Sequence, residues 1–82
     1  MNIIHDIEAR KAPPGKFRVV AFNPVDSSDW IEGDFDTEVD AVTFSKTKIV
    51  EFINKQAMVL YIYNQVGDLT GQSATFGKKN ET

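Results

Sequence analysis

Six carboxylates fall within thirteen residues of this chain, in the segment DWIEGDFDTEVDA at positions 29 to 41, and no lysine or arginine stands among them. Asp29, Glu32, Asp34, Asp36, Glu38 and Asp40 are hard oxygen ligands by type. Pairs of such groups also perform acid–base chemistry when a cleft drives their pKa values apart. The spacing of Asp34, Asp36 and Glu38 resembles the opening of a calcium loop, but that loop needs glycine at its sixth position and glutamate at its twelfth. Counted from Asp34, those positions hold Val39 and Ser45. The run also crosses an element boundary. From Thr37 onward the pattern is helical, so Glu38 and Asp40 do not converge with Asp34. Asp36, Glu38 and Asp40 then sit at a helix N-terminus, where negative charge is stabilised by about 0.3–1 kcal/mol each. Glu32 and Asp34 are outward positions of a strand. No metal site and no catalytic residue is expected, and no cofactor.

The other chemistry-bearing residues lead to the same place. His5 is the single histidine and lies in an N-terminal arm, with no nucleophile or orienting partner placed for it by the sequence. The segment GQSATFGKK at 71 to 79 invites comparison with a phosphate-binding loop. Its two glycines are one residue too far apart, Lys79 stands where serine or threonine belongs, and no helix follows. There is no cysteine, which excludes disulfides, thiol catalysis and thiolate metal sites.

These residues are positioned by a short series of elements. Residues 1 to 15 read as an arm in which Ile3, Ile4 and Ile7 share one side of a helical turn, ended by Pro13, Pro14 and Gly15. KFRVVAF at 16 to 22 and WIEGDF at 30 to 35 read as strands, joined by a loop whose punctuation is Asn-Pro and Asp-Ser-Ser. Gly33 marks a bulge or a close backbone approach. Residues 36 to 56 read as a helix with Asp36 or Thr37 as N-cap. Its buried stripe is Ala41, Val42, Ser45, Ile49, Phe52 and Ile53, with Phe44 to one side. AMVLYIY at 57 to 63 is the strongest strand signal, NQVGD at 64 to 68 a hairpin loop, LTGQSATF at 69 to 76 a weaker strand, and the last residues a fraying tail. The fold class expected is α+β: a ββαββ chain forming a four-stranded, mainly antiparallel sheet with one helix on one face, spatial order 2-1-3-4 being favoured over 1-2-3-4, which would contain a parallel pair. The expected division is an arm at 1–15, one domain at 16–77 and a disordered tail at 78–82.

One helix covers one face of such a sheet. Strand alternation then predicts which side chains are left on the other. Regular alternation puts Ile31, Gly33 and Phe35 under the helix and sends Trp30, Glu32 and Asp34 to the open face. There they meet Tyr61 and Tyr63 of the third segment and Arg18 of the first. Tryptophan and tyrosine are enriched at protein contacts because a large apolar body carries a hydrogen-bonding tip. The expected site is therefore a partner-binding surface with Trp30, Tyr61 and Tyr63 as anchors and Glu32, Asp34 and Arg18 setting orientation. The bound species is a protein or a second copy of the chain. The competing expectation is that the arm folds back and Ile3, Ile4 or Ile7 cap this face, or that these rings form an ordinary half-solvated antiparallel face.

Size and charge narrow the class further. With 82 residues there is one modest core, for which net stability is roughly 3–5 kcal/mol. The net charge of −3 is mild, but seven acids and no base lie between Asp26 and Asp40. Phosphate contacts need clustered lysine and arginine, so nucleic acid is not an expected partner. No apolar run approaches the roughly 20 residues that span a bilayer, and the N-terminus has no basic-then-apolar leader. A cytoplasmic, non-membrane protein is the expectation. Two other functions compete with the interaction module: a small ligand-binding or enzymatic accessory subunit using the Asp34/Asp36 corner, and an acidic regulator or inhibitor of a basic, nucleic-acid-binding protein.

Overall fold

β-Branched and aromatic residues make up more than half of the first and third strand segments. The computed structural model of the chain, which describes residues 3–53 and 55–76, forms the strands β1 (Phe17–Asn23), β2 (Ser28–Phe35), β3 (Ala57–Tyr63) and β4 (Leu69–Phe76). All neighbours pair antiparallel in the order β2-β1-β3-β4. A helix, α2 (Glu38–Val50), crosses one face, and a 3-10 turn (Ile3–His5) followed by the short helix α1 (Ile7–Arg10) precedes β1. The expected tail at 78–82 lies outside the described residues.

Thr37 starts α2. Its extended backbone (φ −135°, ψ 157°) turns the side chain so that Oγ1 accepts from the Asp40 N–H at 3.0 Å. Regular helix ends at Val50, short of position 56. Beyond it the Glu51, Phe52 and Ile53 N–H groups donate to carbonyls three residues back. This tightening is how a helix end satisfies its last carbonyls, and the β-branched Ile49, Val50 and Ile53 crowd a continued α-helix. Ile53 consequently leaves the buried stripe and is half exposed.

Under α2 lie Val19 and Ala21 of β1 and Met58, Leu60 and Ile62 of β3, all buried, against Ala41 and Ser45 of the helix. Phe17, Phe35, Val42, Phe44, Ile49 and Phe52 ring them. Phe44 packs on Phe35 with ring centroids 4.9 Å apart. Ser45 is out of character here: it is fully buried and its Oγ has no hydrogen-bond partner. Stripping water from an unpaired hydroxyl costs roughly 1–3 kcal/mol, and alanine is the better helix former. Ser45→Ala is expected to raise stability by about 1 kcal/mol, seen as a higher urea midpoint with an unchanged slope. A lower midpoint would mean that the hydroxyl has a partner inside the core.

The arm folds back over the opposite face. Pro14 and Gly15 make the reversal: Lys16 N–H donates to the Pro13 carbonyl at 3.0 Å, and Gly15 takes φ +77°, as the third residue of a type II turn must. Ala12, buried, donates its N–H to the Asn64 carbonyl at 3.1 Å.

Candidate functional site

The pairing register sorts the open face into cross-strand rows. Asp29, Phe22, Val59 and Ala74 form the first; Ile31, Val20, Tyr61 and Gln72 the second; Asp34, Arg18, Tyr63 and Leu69 the third. Opposite residues in neighbouring strands share a face, so each row is a line of side chains about 5 Å apart. Helix-side rows alternate with them: Trp30, Ala21, Leu60 and Ser73, then Gly33, Val19, Ile62 and Gly71.

Trp30 and Glu32 are therefore not on the open face. The cause is one extra residue. Val19 pairs with Gly33, but Val20 pairs with Ile31, so Glu32 has no counterpart in β1 and bulges. A single inserted residue reverses the facing of everything beyond it. Ile31 goes to the open side, and Trp30 and Glu32 to the helix side. Side-chain contacts agree. The Trp30 Nε1–H donates to Glu32 Oε2 at 2.6 Å, and the Lys48 ammonium of α2 stands 4.0 Å from Glu32 Oε1. The Glu32 side chain is only 13% exposed between these two positive or donating groups.

Arg18, Asp34, Tyr61 and Tyr63 are on the open face. Arg18 grips Asp34 with two parallel bonds, Nε to Oδ1 at 2.8 Å and Nη2 to Oδ2 at 3.1 Å, and its Nη1 donates to the Ala9 carbonyl of the arm at 2.9 Å. The Asp34 bond holds the Arg18 guanidinium above its already high pKa. Arg10 lies with its guanidinium carbon 5.1 Å from the centre of the Tyr63 ring. It donates to the Gly67 and Ile4 carbonyls at 2.9 and 2.6 Å. Burial pushes the Tyr63 phenol up, partly opposed by Arg10. Gly67 has φ +87°, and a Cβ there would stand 2.8 Å from Ile7 Cγ1, so the arm and the β3–β4 turn fit only with glycine at this position. At the arm's start, Asp29 Oδ2 accepts from the Ile4 N–H at 3.2 Å.

The arm thus packs over the Arg18–Tyr63 pair, and Val20 beside it is fully buried. It does so with Ala9, Arg10 and Ala12 as well as Ile3 and Ile4; Ile7 stays half exposed. What remains in reach of a partner is the β3–β4 side: Val59 and Tyr61, each part-exposed, with exposed Gln72 and Ala74 beside them and part-exposed Phe22 at the margin. Ile31, 42% exposed on β2, stands apart from this patch beyond buried Val20. The composition of β4 was the readable signal for that patch, since no charged residue occurs between Leu69 and Phe76.

The acidic stretch is not a naked cluster. Bases from other elements meet it one by one: Lys48 beside Glu32, Arg18 on Asp34, and Lys16 bonded to Asp36. The Lys16 bond holds the Asp36 carboxyl below the usual range and the lysine above its own. Bonds from Ser28 likewise lower Asp26. Among the described residues no three aspartate, glutamate or histidine side chains come together as a metal-binding group. Among the described residues, too, no helix is long and apolar enough to cross a membrane.

Fold and surface together define a class: a ββαββ protein of the α+β type whose sheet is helix-covered on one face and strapped by its own N-terminal arm on the other. Comparison with protein-family models, with curated proteins and with solved structures gave no match.

Proposed function

We propose that this chain is a non-enzymatic interaction module that engages another polypeptide through the β3–β4 half of its open sheet face. One observation carries the reading. Phe22, Val59, Ala74 and Tyr61 are neighbours in two cross-strand rows, and each keeps part of its surface open beside the part of the face that the arm covers. A contiguous surface of aromatic and aliphatic groups with a phenol at its centre suits a protein contact, where such residues are enriched and charge is depleted. The acidic corner supports a role in catalysis less well, because Glu32, Asp34 and Asp36 each face a base rather than one another.

The test is a photo-crosslinker placed on the face. With p-benzoylphenylalanine in place of Tyr61, a near-isosteric exchange, irradiation of cells making the protein is expected to give a discrete covalent adduct. The same probe in place of Glu38, exposed at the start of α2, is expected to give none. Equal labelling from both positions, or none from Tyr61, would remove the proposal.

A further inference from the structure

We infer that β4 is the edge through which two copies of this chain pair, strand against antiparallel strand, into one continuous sheet. The inference concerns the edge of the sheet and stands whether or not the face has a partner of its own. It begins with the sheet order. Among the described residues β2 and β4 are the outer strands, so each turns a row of backbone N–H and C=O groups away from the one strand it pairs with. Such rows are templates for another strand unless something guards them, and the usual guards are charges, proline and bulges.

The two edges are guarded unequally. β2 carries Asp29, Glu32 and Asp34, and its bulge at Glu32 falls in mid-strand. Paired with its own copy, β2 would gather six acids along one seam. β4 has no charge and no proline from Leu69 to Phe76. Its irregularity is at Thr70, near its start, where Tyr63 pairs with Leu69 and Ile62 with Gly71. Gly71 to Thr75 therefore forms an uninterrupted stretch, made of Gly, Gln, Ser, Ala and Thr. These side chains are small or flexible enough for a second backbone to approach.

Geometry chooses among the possible occupants. A β4 strand against a β2 strand is head-to-tail; such contacts close into rings only if the rotation allows and otherwise propagate. A β4 strand against β4 of a second copy is self-complementary about a two-fold axis and closes after one step. With the axis at Ser73, Gln72 faces the partner's Ala74 and Gly71 faces its Thr75. No like charges meet in that pairing. The contact is one short strand wide, below the roughly 1,200 Å² of a standard interface, so the dimer should dissociate in an accessible concentration range.

The experiment is sedimentation equilibrium of the full chain from micromolar to millimolar concentration, beside two variants. The wild type is expected to move from the mass of one chain to that of two. Gln72→Lys/Ala74→Lys, at exposed positions that the pairing sets opposite each other across the axis, is expected to stay at one chain with an unchanged circular dichroism spectrum. Ile31→Lys on β2 is expected to dimerise like the wild type. Amide exchange on the wild type gives the check that needs no variant: protection that grows with concentration should be confined to β4. A wild type that stays at one chain at millimolar concentration would overturn the inference. So would a double-lysine variant that dimerises normally, an Ile31→Lys variant that does not, or exchange protection appearing on β2 instead.

Discussion

Leu60→Ala is expected to leave the chain largely unfolded at 25 °C. Truncating a buried leucine costs about 2–5 kcal/mol, the higher values belonging to sites that cannot collapse around the cavity. Leu60 is such a site. It lies in β3, with Ala21 and Ser73 beside it in its row and Ala41 and Ser45 in the helix above, and it is fully buried. Its row neighbours Ala21 and Ser73 are small and held by strand backbone, so they cannot fill the space. A domain of this size holds only about 3–5 kcal/mol of net stability, so the loss is comparable to the whole. The check is chemical denaturation by circular dichroism with Leu60→Met as companion. That volume-conserving exchange should cost less than about 1.5 kcal/mol. A folded Leu60→Ala protein with a midpoint near that of the wild type would mean that the core is not centred on this row.

The sensitivity of that position was legible in the sequence because β3 alternates without interruption. Met58, Leu60 and Ile62 are sorted from Val59, Tyr61 and Tyr63 by period two alone, and the register keeps them sorted. The sheet order was legible for a related reason: it is the arrangement that lets every neighbouring pair run antiparallel. β2 was not legible in the same way. WIEGDF reads as a regular alternation, and nothing in its composition says that Glu32 rather than Gly33 is the residue without a partner. The bulge is set by long-range demands. Phe35 must reach Phe44 under the helix at one end, while Asp29 meets Ile4 of the arm at the other. One extra residue satisfies both, and it moves Trp30 to the helix side, where its indole N–H meets Glu32. The pairing of the acids with Lys16, Arg18 and Lys48 was hidden likewise, because charge runs are counted along the chain and neutralised across it.

Removal of residues 1–10 is expected to be the next largest perturbation, and its sign tests what the arm is for. Two opposing terms are involved. Ordering the arm's backbone costs roughly 1–2 kcal/mol per residue. Against this stand the burial of Val20 and Tyr63, each worth about 1.5–3 kcal/mol when fully covered, and a set of charge-assisted bonds from Arg10 and Arg18 to arm and turn carbonyls. Were the arm's own gain small, it would spend much of its time off the sheet. The fit at Gly67, where Ile7 takes the space that a Cβ would need, argues for a close seat. The truncated chain should be less stable, by roughly the 1.5–3 kcal/mol that uncovering one core side chain such as Val20 costs, and it should bind an apolar dye that the full chain does not. Gly67→Val reaches the same state by another route: it forces a β-branched residue to φ +87° and against Ile7 without shortening the chain. Its dye binding should match that of the truncation. If both variants keep wild-type stability and stay dye-free, Val20 and Tyr63 have another cover, and the boundary of the contact face drawn at the arm would have to move toward β2.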